Sequence, residues 1–219
     1  SSSNLLGTIK VIDFCSSSQL PLVYAFSSAL YGNLELGDDS SSTVDLLSPY
    51  AADKYVMEIY AKVAYKLYKL SSIGLRFYNV YGPRQDPSSA YSGVISIFSD
   101  RLLRGKSITI NGGFQSRDFI YVQDIVKAID KAVATANKGV ICEQINILTG
   151  RSISVDSIAD MLINAVGAKV QKIYRELPAG DPERSKGTTA KMQQLLDIDL
   201  NGMVPIDVGL LSTVNFLQN

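Results

Sequence analysis

Two hydrophobic periods alternate along this chain, and that alternation restricts its fold more than any other feature. Leu5, Leu6, Ile9, Val11, Ile12 and Phe14 recur at helical spacing over about 4–17, and Leu22-Val23-Tyr24-Ala25-Phe26 then makes a short β-rich run. A helix followed by a buried strand is half of an α/β unit. The pattern then recurs: Ser48 supplies an N-cap, Pro49 a first turn, and a long apolar-striped helix to about 70 leads into a buried run at 73–80. The first strand ends in Ser27-Ser28-Ala29-Leu30-Tyr31-Gly32, so small hydroxyl residues stand at the edge where open parallel sheets bind ligands. Serines after a strand also make ordinary turns, and both readings stay open from this segment alone.

Further along, periodicity predicts a helix over 94–104, a strand over 107–110, a turn at Asn111-Gly112-Gly113 and a strand over 118–122. It then predicts a helix over 123–137, a strand over 143–148, a helix over 154–165 capped by Ser154, and closing helices over 189–196 and 208–217. The segments Tyr81 to Pro87 and Leu177 to Arg184 read as structured loops. No internal repeat or low-complexity tract interrupts the series.

Composition narrows the chemistry. Lys plus Arg equals Asp plus Glu at 21 each, so no strong field points to nucleic acid or to an anionic membrane. No uninterrupted apolar run approaches 18 residues and no charged-then-apolar leader is present, which predicts a soluble, cytoplasmic chain. Cys15 and Cys142 lie far apart on apolar segments, as small buried side chains rather than a disulfide framework or a metal site. Histidine is absent altogether, which removes Ser–His and Cys–His catalysis and most His-based metal chemistry. Any Tyr or Lys base gains weight accordingly.

Such a pair stands at the mouth of the long helix. Tyr50 and Lys54 are four residues apart, so phenol and ammonium project from one face. A free tyrosine ionises near pH 10, and bringing it to about 7 needs roughly 4 kcal/mol of preferential phenolate stabilisation. A neighbouring cation in a partly desolvated site supplies much of that. Alone the pair is weak evidence, since Tyr60, Tyr65 and Tyr68 follow on the same helix.

Five segments in order change its weight: Tyr24 to Gly32, Ser48-Pro49-Tyr50 with Lys54, Leu75 to Gln85, Arg117 to Asp124, and Gly180-Asp181. Together they resemble the extended short-chain dehydrogenase/reductase superfamily, and within it the NAD-dependent nucleotide-sugar epimerases. The resemblance covers essentially the whole chain. It implies an α/β fold, the carboxyl-terminal portion of a Rossmann-like doubly wound parallel sheet with a smaller α/β substrate-binding domain. Residues 1–82 and 118–150 would belong to the dinucleotide-binding domain, and 83–117 and 151–219 to the substrate domain.

The same resemblance implies roles. Tyr50 is the expected catalytic base and acid, Lys54 its electrostatic partner and ligand of the nicotinamide ribose, and Ser27 the hydroxyl that bonds the reacting sugar oxygen, with Ser28 beside it. Phe77 is expected against the NAD cofactor and Asn79 at the nucleotide diphosphate. Arg117 and, more weakly, Arg184 are the expected diphosphate arginines, a role for which guanidinium geometry is suited. Asp181 matches the carboxylate on the nucleoside ribose, while Gly93, Val94 and Asn111 match positions lining the nucleotide. Helices 4–17 and 50–70 resemble those that pair in the family's homodimers as a four-helix bundle, although their apolar faces must also cover the sheet.

Two departures stand out. The loop from Asn111 to Arg117 is shorter than the family pattern and lacks its acidic residue. The family's Gly-rich fingerprint, which presents a helix N-terminus to the NAD pyrophosphate, does not occur in the 219 residues. With Ser1 in place of an initiator Met, this predicts a piece of a longer protein. An incomplete nucleotide-sugar-binding scaffold and a 4-keto-sugar reductase are the competing readings.

Reaction and substrate can be narrowed within the resemblance. Dehydratases and decarboxylases of the superfamily carry carboxylates just beyond the strand-end Ser or Thr, where Ser28 and Ala29 stand here. Neither supplies a carboxyl acid or base, which favours 4-epimerisation of a UDP-sugar. Ser185, four residues after Asp181, replaces a bulky aromatic and leaves room beside the sugar C2 position. With Arg84 to Pro87 and Ala90-Tyr91-Ser92-Gly93-Val94-Ile95, it makes the chain most like UDP-N-acetylglucosamine 4-epimerases, with uronic acids as a related substrate class.

Overall fold

A computed structural model describes residues 5–89, 92–178 and 180–218. Helix α1 (Gly7–Ser17) leads into strand β1 (Leu22–Ser27), and a 3-10 turn at Ser28–Tyr31 closes the strand. Helix α2 (Pro49–Tyr68) starts as its sequence dictates: the Ser48 hydroxyl accepts from the Ala51 N–H and Pro49 occupies the first turn. It ends at Lys69, which adopts the left-handed conformation.

Strands β1, β2 (Ser72–Phe77) and β6 (Cys142–Ile147) form a parallel sheet in the order β1-β2-β6. The register pairs Ser27 with Phe77 and Phe77 with Ile147, so the three carboxyl ends are flush. Helix α4 (Val122–Ala136) and helix α6 (Ala190–Leu196) cover one face, where Ile73, Leu75, Ile145 and Ile147 meet Ala128, Ala132 and Met192. On the other face α1 and α2 lie over Tyr24 and Phe26. There Gly74 is required, because a Cβ would stand 2.8 Å from the Tyr24 ring.

The run expected as one strand over 73–80 is two. Tyr78 interrupts it, donating its N–H to the Ile147 carbonyl, and β3 (Asn79–Tyr81) continues into a second sheet ordered β3-β5-β7. Strand β5 (Ser116–Tyr121) runs parallel to β3 and antiparallel to β7 (Ser152–Ser154). A third pair joins β4 (Ile108–Asn111) to β8 (Lys172–Arg175). Helices α3 (Val94–Leu103), α5 (Val155–Val166) and α7 (Ile206–Gln218) pack around a core of Ile95, Phe98, Ile108, Ile158, Leu162 and Leu210.

Two departures from the sequence reading have physical causes. Met192 and Leu196 fill the α4 side of the first sheet, so α6 packs there although it follows the small-domain elements in the chain. The stretch Leu200–Gln218 is long and apolar enough by composition to cross a membrane, with mean hydropathy 1.3, although no uninterrupted apolar run is. A 3-10 turn at Leu200–Gly202 and Pro205 break it, and Leu210 and Val214 are spent in the core.

Candidate nucleotide-sugar site

The flush carboxyl ends of β1 and β2 open into a cavity of about 260 Å³. Ser27, Ser28 and Ala29 line it from the end of β1, Phe77 and Asn79 from β2 and β3, Arg117 from β5, and Asp181, Arg184 and Ser185 from the loop before α6. The Ser27 oxygen accepts from the Ala29 N–H at 3.1 Å, capping the 3-10 turn. That bond uses a lone pair and leaves the hydroxyl proton free to be donated.

A second cavity of about 360 Å³ adjoins the first through Asn79, Arg117 and Asp181, which line both. Gly93, Val94 and Ile95 border it at the start of α3, with Tyr81, Gln85, Gln115, Phe119 and Val155 around them. Arg117 is buried, and its Nη2 donates to the Asp181 carboxylate at 2.5 Å while Nη1 donates to the Ser116 carbonyl. The Asp181 loop is laid along β5 by two backbone bonds, Ser116 N–H to the Glu183 carbonyl and Ser185 N–H to the Ser116 carbonyl. A cation and an anion from different elements thus meet at the junction of the two cavities.

Tyr50 and Lys54 stand beyond the rim, which reaches α2 through Leu47 and Ser48. The Tyr50 side chain is 47% exposed. The Lys54 ammonium lies 5.9 Å from the Tyr50 ring centre and 3.4 Å from the Ala25 carbonyl of β1, and partial burial lowers its pKa. Lysine is therefore drawn from solvent toward the strand end, with the phenol beside it.

Of the nucleotide-lining candidates, Asn111 lines neither cavity. It is exposed at the end of β4, and its carbonyl receives the Gln115 amide. Gln115 takes its place, folding back over the tight Gly112-Gly113 turn so that its own oxygen accepts the Gly113 N–H. Spacing alone did not reveal that Gln115, rather than Asn111, lines the cavity. Ala90 and Tyr91 lie outside the described residues.

Flush parallel strand ends, two joined cavities and an Arg–Asp junction define an α/β protein of the nucleotide-binding class, with its ligand site at the carboxyl edge of the sheet. The NAD dependent epimerase/dehydratase family matches residues 1–147, and the chain belongs to that family. A UDP-glucose 4-epimerase of Mycolicibacterium smegmatis is 31% identical over 99% of this chain and 68% of its own length. The crystal structure of a UDP-glucose 4-epimerase from Thermotoga maritima, with UDP-glucose, superimposes with a TM-score of 0.90 at 28% identity, covering 99% of this chain and 70% of that one. A UDP-N-acetylglucosamine 4-epimerase from Methanobrevibacter ruminantium, in complex with UDP-N-acetylmuramic acid, gives 0.89 at 28%, covering 99% and 69%.

NAD is the cofactor of this family, and the residues present fit its nicotinamide end. The Lys54 ammonium reaches the Ala25 carbonyl of β1 with the Tyr50 ring 5.9 Å away, and Phe77, paired with Ser27, lines the cavity beside it. The pyrophosphate-binding Gly-rich turn does not occur in the 219 residues, and no residue here is assigned to it.

Proposed function

We propose that the chain carries the catalytic and substrate-binding portion of a nucleotide-sugar 4-epimerase acting on UDP-hexoses or UDP-N-acetylhexosamines. The observation that carries this reading is the convergence of Ser27, Asn79, Arg117 and Asp181 on one continuous pair of cavities, with Tyr50 and Lys54 just beyond the rim on the helix that Ser48 caps. Arg117 holds the diphosphate when the ligand displaces Asp181, and Asp181 turns to the ribose hydroxyls. The Ser27 hydroxyl donates to the sugar C4 oxygen. Tyr50 takes the proton from that oxygen and later returns one, with the Lys54 ammonium beside its ring. Bound NAD would supply hydride acceptance at C4 and its return to the opposite face once the transient 4-keto sugar has turned over in the cavity. Ser28 and Ala29 offer no carboxyl group for elimination, which separates this reaction from the family's dehydratases.

Ser185 lines the sugar end of the first cavity and leaves space for a C2 acetamido group, which favours UDP-N-acetylhexosamines. Conversion of UDP-N-acetylglucosamine to its C4 epimer by NAD-loaded protein tests the reading. Ser185→Tyr is expected to abolish turnover of the acetamido sugar while sparing UDP-glucose; equal rates on both in that variant would refute the gate.

A homodimer is part of the same reading. Val11 and Phe14 on α1, and Ile59, Val63 and Leu67 on α2, leave a two-helix surface with exposed apolar side chains. A second copy seated there would complete a four-helix bundle.

A further inference from the structure

A chain of buried polar groups runs from the catalytic helix to the loops that roof the first cavity. Glu58, one turn beyond Lys54, is fully buried and receives both Nε and Nη2 of Arg76 at 2.7 Å each. The remaining Arg76 donor, Nη1, reaches the Tyr31 hydroxyl at 2.6 Å, and that hydroxyl donates to Asn146 Oδ1 at 2.7 Å. Burial alone would lower the Arg76 pKa, but Glu58 and Tyr31 outweigh it and hold the guanidinium above its ordinary value. Register explains the geometry, since Arg76 and Asn146 are directly paired on β2 and β6 and face the same side of the sheet.

Asn146 is where this chain meets the roof. Its Nδ2 donates to the Gly37 carbonyl at 3.0 Å and to the Thr188 carbonyl at 3.3 Å, and its backbone N–H donates to Asp39 Oδ2 at 2.9 Å. Thr188 Oγ1 donates to the other Asp39 oxygen at 2.9 Å. Every hydrogen-bonding group of the side chain is used, in a residue with no exposed surface. The two segments it grips are bridged to each other, with Gly37 N–H on the Lys186 carbonyl and Thr188 N–H on the Gly37 carbonyl. Gly37 and Gly187 allow the approach, because a Cβ on either would collide with the Tyr78 hydroxyl. One segment carries Leu34, Leu47 and Ser48 to the cavity and the other carries Asp181, Arg184 and Ser185.

We propose that Asn146 is a positioning residue for nucleotide-sugar binding. It clamps the 33–48 and 180–188 loops to the sheet through the Gly37 and Thr188 carbonyls, and so sets where Asp181, Arg184 and Ser185 meet the ligand. The proposal rests on reading this cavity as the nucleotide-sugar site. Neither loop contains a helix or longer strand of its own; β5 holds the second at Glu183 and Ser185, and Asn146 is what ties the Gly37 and Thr188 carbonyls to the sheet. Asn146→Asp keeps the shape and the bond from Tyr31 but turns the group facing two carbonyls from a donor into an acceptor. Repulsion from those carbonyls and from Asp39 should release both loops.

The test measures UDP binding by calorimetry and amide hydrogen exchange at Gly37 and Thr188, in wild type and Asn146→Asp. Expected results are UDP affinity weakened about tenfold or more, faster exchange at both amides, and a raised KM for UDP-sugar with kcat changed much less. A merely structural role would lower the active fraction, and hence kcat, without moving KM. Should Asn146→Asp not fold, Thr188→Val removes the hydroxyl on Asp39 and is expected to weaken UDP binding several-fold. UDP binding and exchange within twofold of wild type in the folded variant would overturn the proposal. Wild-type protein that binds no UDP would overturn the reading of the cavity itself and the proposal with it.

Discussion

Helix α2 holds its first turn and its middle in opposite environments. Tyr50, in the first turn, is 47% exposed beside Lys54, whereas Glu58, two turns on, has no exposed surface and is held by a bidentate arginine. In the proposed reaction Tyr50 is the reactive group and stands open to solvent, while the helix that carries it is held from inside the protein at Glu58. A phenol that must accept and return a proton gains from an open approach. A helix that must place it reproducibly gains from a buried, directional anchor.

The largest effect should come from the exposed end. Tyr50→Phe removes the proton carrier and nothing from the core, so kcat is expected to fall about a thousandfold with UDP affinity nearly unchanged. Steady-state kinetics beside calorimetry would show it, and turnover within tenfold of wild type would break the division of labour between Tyr50 and Glu58.

The anchor should show the reverse pattern. Glu58→Gln leaves Arg76 buried beside a neutral partner, and stripping one member of a buried pair costs about 3 kcal/mol. A urea midpoint shift of matching size, with Tyr50 chemistry surviving in the folded fraction, would sharpen the comparison; an unshifted midpoint would undo it.

A smaller, pH-dependent effect belongs to the second sheet. Burial pushes the Asp118 carboxyl up to about 6, against the opposing pull of hydrogen bonds from Thr149, Gly150 and Arg151. The folded protein therefore keeps the proton at a pH where the unfolded chain, ionising near 4, has released it. That contribution is fully present below about pH 4 and is lost as pH rises through about 6. Relative to Asp118→Asn, wild type is expected to lose about 2 kcal/mol across that window, read from urea titrations at each pH. Parallel curves for the two proteins would count against a buried, raised carboxyl.

The same contrast separates what the sequence made legible from what it did not. Ser48 and Pro49 were legible from local capping and the Tyr50–Lys54 pair from its interval, whereas the weight of that pair and the choice of Ser27 came from the ordered set of segments that resembles the family. Glu58 and Arg76 lie 18 residues apart on different elements and look, in sequence, like a surface charge and a strand charge. Only the β2–β6 register brings Arg76, Tyr31 and Asn146 into one line. Strands β7 and β8 escaped because three or four residues carry too little periodicity. The break at Tyr78 was hidden inside one β-rich run, since nothing in Phe77-Tyr78-Asn79 marks a change of sheet. Asn111 was expected to line the nucleotide, and the residue that lines the second cavity is Gln115, folded back over the Gly112-Gly113 turn.

The most direct test of the account follows the hydrogen on C4. NAD-loaded protein given UDP-N-acetylglucosamine carrying deuterium at C4 should yield the C4 epimer with the deuterium still on that carbon, as the transient ketone requires. Epimer that has exchanged its C4 deuterium for solvent hydrogen would contradict the mechanism assigned to Tyr50, Lys54 and Ser27.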